Sequence, residues 1–99
     1  MSDVLTLVTE TFQTDDYGNQ VATETETDVF CEVYSISQNE FFSAGREGHR
    51  PSFRFDVFFG DYADQQIVEY QNTRYYIYRT YRNNDTMELY AEMRVGVWM

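Results

Sequence analysis

Ile67-Val68-Glu69-Tyr70, Gln71-Asn72, Thr73-Arg74-Tyr75-Tyr76-Ile77-Tyr78-Arg79-Thr80-Tyr81-Arg82, Asn83-Asn84-Asp85 and Thr86-Met87-Glu88-Leu89-Tyr90-Ala91-Glu92-Met93-Arg94-Val95 form the stretch that decides the fold. Two turn clusters separate three runs rich in aromatic and β-branched residues. Asn and Asp tolerate left-handed backbone angles and hydrogen-bond their own main chain, so they belong at such corners. The last run alternates strictly. Met87, Leu89, Ala91, Met93 and Val95 fall on one side, with Glu88, Tyr90, Glu92 and Arg94 on the other. A period of two marks a strand with one dry and one wet face, so the stretch reads as a three-stranded antiparallel meander.

Working outward, Val4 to Phe12 reads as a first strand with Leu5 and Leu7 on one side, and Asp15-Asp16-Tyr17-Gly18-Asn19 as a turn. A long alternating run follows. Val21, Thr23, Thr25, Thr27, Val29, Cys31 and Val33 share one parity, while Glu24, Glu26, Asp28 and Glu32 make an acidic wet face. Phe30 and Tyr34 interrupt that face, which points to a covered surface or to exposed aromatics.

Ser37-Gln38-Asn39-Glu40 matches a capping box, in which the Ser hydroxyl accepts an orphan amide and Glu40 reaches back. Phe41, Phe42 and Ala44 give the short helix something to bury, and Gly45 suits its C-terminus. Gly45-Arg46-Glu47-Gly48-His49-Arg50-Pro51-Ser52 reads as a long, mobile loop. Phe53, Phe55, Val57 and Phe59 then alternate with Arg54 and Asp56 as another strand, and Gly60-Asp61-Tyr62 with Asp64 turns the chain back. About six strands, one short helix and a long loop predict a mainly β fold, a small antiparallel barrel or sandwich.

Ninety-nine residues set the expectation of a single domain over residues 1–99. Seventeen carboxylates oppose seven bases, all arginine, for a formal charge of −10. Without a basic run, specific affinity for a phosphate backbone or an acidic membrane leaflet is not expected. One cysteine, Cys31, rules out an internal disulfide and the disulfide-framed secreted class. No apolar run approaches the roughly twenty residues that span a bilayer, and no signal peptide opens the chain, so a soluble protein is the expectation.

The residues do not assemble into recognisable chemistry. His49, the single histidine, lies in the loop, whereas Cys31 has core parity and reads as an inert buried thiol. One Cys and one His cannot furnish a zinc site, and Asp15, Asp16 and Asn19 fit a hairpin turn better than a calcium loop. Gly45-x-x-Gly48 is too short for a phosphate loop. Exposed acids on a strand are a solvated face before they are a hydrolase pair. The expectation is a non-enzyme with no cofactor, no metal and no catalytic residue.

The order of the pieces resembles the head-closure (head–tail joining, stopper) proteins of long-tailed phages. The matching pieces begin with Asp16-Tyr17-Gly18-Asn19, Val29-Phe30-Cys31-Glu32-Val33 and Ser37-Gln38-x-Glu40-Phe41 with Ala44. They continue through Gly48-x-Arg50-Pro51, Asp61-Tyr62, Val68-Glu69-Tyr70 and Arg74-Tyr75-Tyr76-Ile77-Tyr78-Arg79-Thr80-Tyr81 to Glu88-Leu89. Asn72-Thr73 departs from the Asn-Gly expected there, and the apolar end Val97-Trp98-Met99 is unlike the family's short charged ends. Together the pieces cover the chain from about Leu5 to Arg94.

The resemblance implies a small barrel that forms a ring in the virion neck, under the portal and its adaptor. Such a ring retains packaged DNA and docks the tail terminator or tail tube; the host cytoplasm is its setting during assembly. No membrane is involved, and contact with packaged DNA is non-specific proximity. The loop Gly45, Arg46, Glu47, Gly48, His49, Arg50 and Pro51, within about Ser43 to Ser52, is implied to face the channel or a neighbouring subunit. Phe30, Tyr34, Phe41, Phe42, Tyr76, Tyr78 and Trp98 are candidate interface residues. Glu24, Glu26 and Asp28 are a candidate acidic channel face that repels phosphate. Two alternatives stand beside this reading: an acidic DNA-mimic inhibitor of a nucleic-acid-binding enzyme, and another neck ring such as a tail terminator, expected to be longer and richer in helix.

Overall fold

The computed structural model describes residues 3–93. The end of the alternating run at Arg94 and Val95, and the apolar end with Trp98, lie outside the described residues. The meander forms as its alternation predicts, with β4 at Ile67–Tyr70, β5 at Thr73–Asn83 and β6 at Thr86–Glu92. Gln71 (φ 52°) and Asn72 (φ 63°) both adopt the left-handed conformation that a two-residue hairpin turn demands, and Asn84 (φ 57°) does so at the second corner. Before the meander come β1 (Asp3–Thr14), β2 (Gln20–Tyr34), helix α1 (Gln38–Arg46) and β3 (Pro51–Phe58). Phe59–Asp61 form a single 3-10 turn, so the alternation through Phe53, Phe55 and Val57 stops one residue short of Phe59.

All neighbouring strands are antiparallel, and the sheet closes into a barrel in the order β1-β2-β3-β6-β5-β4. Closure comes from a short seam, Thr6–Glu69, Leu7–Val68 and Val8–Ile67. Every strand contributes to the interior: Leu5 and Leu7, Val29 and Cys31, Phe55 and Val57, Val68 and Tyr70, Tyr75, and Leu89 with Ala91. At its centre Phe55 meets Tyr70 edge-on, with ring centroids 5.3 Å apart, and Phe53 meets Tyr75 likewise at 5.6 Å.

Two bulges interrupt the ladders of β6. Ser52 is the extra residue where β3 pairs with β6, and Tyr78 is the extra residue where β5 does. A bulge shifts the side-chain alternation of the strand that carries it.

β2 departs most from the expectation. Only Val29 and Cys31 of its inward parity are buried, and Val33 is half-buried; Val21, Thr23, Thr25 and Thr27 face water. The reason is the lack of neighbours. The β1–β2 ladder continues to Thr14–Gln20, but β4 pairs with β1 only as far as Val8, and β3 pairs with β2 only from Cys31 onward. From Glu10 to Asp28 every residue is exposed. Six residue pairs beyond the seam make a two-stranded arm of about 20 Å at 3.4 Å per residue. The Cα radius of gyration, 15.0 Å, accordingly exceeds the about 12.6 Å of a compact chain of this length. At the arm's tip the Asp15 carboxylate accepts the amides of Tyr17 (2.9 Å) and Asn19 (2.8 Å), and Gly18 takes φ +82°.

Candidate functional site: the docked helix and the outer wall

Helix α1 connects two adjacent strands, β2 and β3, and lies against the outside of the barrel. Ser37 caps it, its hydroxyl accepting the Glu40 amide at 3.2 Å. The other half of the expected capping box is absent. Glu40 turns to the barrel instead, where its carboxylate accepts the Tyr78 hydroxyl at 2.8 Å and the Arg79 guanidinium. The bulge explains this, because Tyr78 and Arg79, consecutive in sequence, both address the same side of the sheet. Burial and the bond to Glu40 push the Tyr78 hydroxyl well above the usual tyrosine range. Arg79 also lies over the Tyr90 ring, 4.1 Å from its centroid.

The C-terminal end of α1 falls later than expected. Gly45 is inside the helix, and Gly48, with φ +87°, is the left-handed residue that ends it. The His49 amide donates to Ala44 O (2.9 Å) and the Gly48 amide to Gly45 O (3.1 Å), the paired bonds of a Schellman ending. The long loop expected from Gly45 to Ser52 thus divides. Gly45 and Arg46 are helical, Pro51 and Ser52 belong to β3, and only Glu47 to Arg50 connect them.

That connection is anchored on Glu92. Simple alternation puts Glu92 on the wet face of β6, yet it is 7% exposed. It pairs with Pro51 on one side and Tyr76 on the other, next to both bulges. Its carboxylate accepts the Arg50 amide at 3.1 Å and lies 3.0 Å from His49 Nδ1. With Glu92 ionised its carboxylate can only accept, and the bond then takes its proton from Nδ1. The His49 ring stacks on Tyr78, with centroids 4.6 Å apart and planes 18° from parallel. Met93, expected on the dry face, lies just past β6 and is exposed. Of the helix side chains only Ala44 is buried. Phe41 and Phe42, expected to pack inward, are both more than half exposed and meet each other edge-on.

The remaining candidate interface residues divide by location. Phe30 is 75% exposed and lines a groove with Phe58, itself exposed, while Val4, opposite Phe30 in the ladder, is exposed too. Tyr34 donates to Glu32 at 2.6 Å under the Arg54 guanidinium, and that bond raises its hydroxyl above the usual range. Tyr76 and Tyr78 are half-buried in the outer wall. Arg46 and Arg50 are exposed.

Of the three candidate channel acids only Glu24 lies on the arm, whereas Glu26 and Asp28 lie level with the seam. Asp28 accepts the Thr6 hydroxyl at 2.6 Å, and Glu26 is exposed opposite Val8. Glu24 faces Glu10 directly across the ladder and is bound by both terminal nitrogens of Arg74, at 3.0 and 3.3 Å. Arg74 also holds Glu69 at 2.6 Å, so this one guanidinium ties the arm to the barrel wall. Its hydrogen bond keeps the Glu24 carboxyl below the usual range. Sequence spacing cannot reveal this tie, because Glu24 and Arg74 are fifty positions apart.

Cys31 is in the core and His49 on the outer wall, so the two are not brought together. Burial, and secondarily the charge of Asp3, push the thiol up to about 11. Among the described residues no group of three His, Cys, Asp or Glu converges in metal-binding geometry, and no helix is long and apolar enough to cross a membrane. No protein-family model matches the chain, and no curated protein sequence matches it.

Two measurements check this wall. Glu92→Ala leaves the Arg50 amide without its acceptor and is expected to cost about 1–3 kcal/mol in urea unfolding. Glu92→Gln keeps an acceptor and costs less than about 1 kcal/mol. Glu24 supplies the pH test. A carboxyl depressed in the folded state contributes stability above its unfolded value, and the contribution is lost as pH falls through the folded value. The stability difference between the native chain and Glu24→Gln is therefore present at about pH 6 and disappears toward about pH 3. A difference that stays constant across that range contradicts the Arg74 tie.

Proposed function

We propose that this chain is a structural protein of the phage neck, a head-closure ring subunit that sits below the portal and its adaptor, retains packaged DNA and docks the tail. The observation that carries this reading is where the large apolar side chains lie. The barrel interior is filled by its own core, yet Phe30 and Phe58 line one outer groove and Phe41 and Phe42 stand together on α1. Two unlike patches on one subunit suit the head-to-tail contacts of a closed ring, in which each copy offers a different surface to each neighbour. Small closed barrel, one helix and acidic balance also agree with the resemblance of the sequence pieces. An acidic lining repels DNA and leaves it free to pass.

The acidic-inhibitor reading draws support from the β1–β2 hairpin, where Glu10, Glu24, Glu26 and Asp28 are all exposed. Against it, Arg74 occupies Glu24, and the acids are interspersed with threonines rather than set in a continuous groove. The tail-terminator reading expects more helix than the nine residues of α1.

The test is negative-stain imaging of particles from a phage lacking this chain alone. The neck reading expects separate tails beside heads that leak DNA, with joining restored by the purified protein. Normal tailed virions without the protein would exclude that reading.

A further inference from the structure

The arm carries a second inference, which holds whether or not the chain sits in a phage neck. At the seam β4 starts at Ile67, opposite Val8, and the ladder on that side of β1 goes no further. Beyond it Thr9 to Thr14 form an open strand edge among the described residues, whose ladder partners there are all on β2. Such an edge presents a row of backbone donors and acceptors ready to pair with another strand. Beside its root lies a groove of about 380 Å³ between Val8, Thr9 and Glu10 on one side and Asp64 to Ile67 with Tyr76 on the other. A strand laid in this groove continues the line of β4 along the arm.

Charge decides what kind of strand fits. Between Thr9 and Asp28 the chain has Glu10, Asp15, Asp16, Glu24, Glu26 and Asp28 and no basic residue. Glu10 stands directly opposite Glu24, an arrangement of like charges that destabilises a ladder. Asp64 adds a further carboxylate across the groove. The single described cation that reaches the arm is Arg74, and it binds Glu24 with two nitrogens. A second copy of this chain brings the same acids to the same edge and is repelled. The exposed Phe12 and Val21 supply apolar contact on the two faces of the arm.

We infer that the β1 edge from Thr9 to Thr14 is a docking site for an extended segment of another protein, one that carries Arg or Lys at alternate positions and adds to the arm as a third strand.

Backbone amide NMR on the purified full chain tests this with a capped peptide of about ten residues alternating Arg and Val. The expected result is that those Thr9–Thr14 amides that face away from β2 shift and exchange at least about tenfold more slowly with the peptide, less so as salt is added. Glu10→Lys is expected to weaken the effect while leaving the barrel resonances in place. A Glu/Val peptide, and an Arg/Val peptide N-methylated at alternate amides, are expected to do nothing. The inference is overturned if no arm amide responds, or if either control peptide protects the edge equally. Protection without any peptide that grows with protein concentration, accompanied by dimers in sedimentation, also overturns it, because a second copy then occupies the edge.

Discussion

Three residue pairs between β1 and β4 hold the barrel shut, and the rest of the molecule depends on them. With Leu7 and Val68 paired, both side chains are fully buried and the sheet has no open edge around the core. Without the seam, β1 and β4 become edge strands and the aromatic centre around Phe55 and Tyr70 meets water. The seam is short because β4 has only four residues. That brevity has a second effect. Among the described residues β1 past Val8 pairs with β2 alone, and β2 meets β3 only from Cys31 onward, so the hairpin leaves the barrel as an arm. Closure depends on β4, and projection on where β4 starts and where β3 ends.

The outer wall follows a different logic from the interior. Inside, apolar burial and edge-to-face rings provide most of the cohesion. Outside, α1 contributes little apolar surface, with Ala44 alone buried, and is positioned by polar contacts instead. Glu40 grips Tyr78 and Arg79, and Glu92 holds His49 and the Arg50 amide. Among the described residues no buried side-chain polar atom lacks a partner, so the wall avoids the cost of orphaned groups. A helix fixed in this way presents Phe41 and Phe42 at a set orientation, which is what a contact surface needs to bind without first ordering itself.

Much of this fold was legible in the residues, and the failures have physical causes. The meander was readable because its corners are Asn-rich and its last strand alternates, both local signals. The Ser37 cap and the Asp15–Asn19 turn were readable for the same reason. The destination of Glu40 was not, because a bulge at Tyr78 leaves no mark in a run of aromatics. The helix end at Gly48 rather than Gly45 turns on which of two nearby glycines takes the left-handed conformation. Alternation in β2 predicted a dry face along the whole strand, yet it exists only from Val29 onward, since periodicity describes a strand and is silent about whether a neighbouring strand covers it. Of the candidate surfaces, the exposed aromatics could be named from parity, but the bond from Arg74 to Glu24 and the burial of Glu92 are tertiary facts.

Residue-resolved native-state hydrogen exchange of the isolated protein tests most directly the claim that a three-pair seam closes the barrel while the arm projects without a third strand. Protected amides among Thr6 to Val8 and Ile67 to Glu69 are expected to exchange only through global unfolding, together with those of β3 and β6. Amides of Thr9–Thr14 without a ladder partner are expected to exchange far faster. Seam amides that open with the arm, at a free energy well below that of the β3–β6 ladder, would contradict it and describe an open, curled sheet instead.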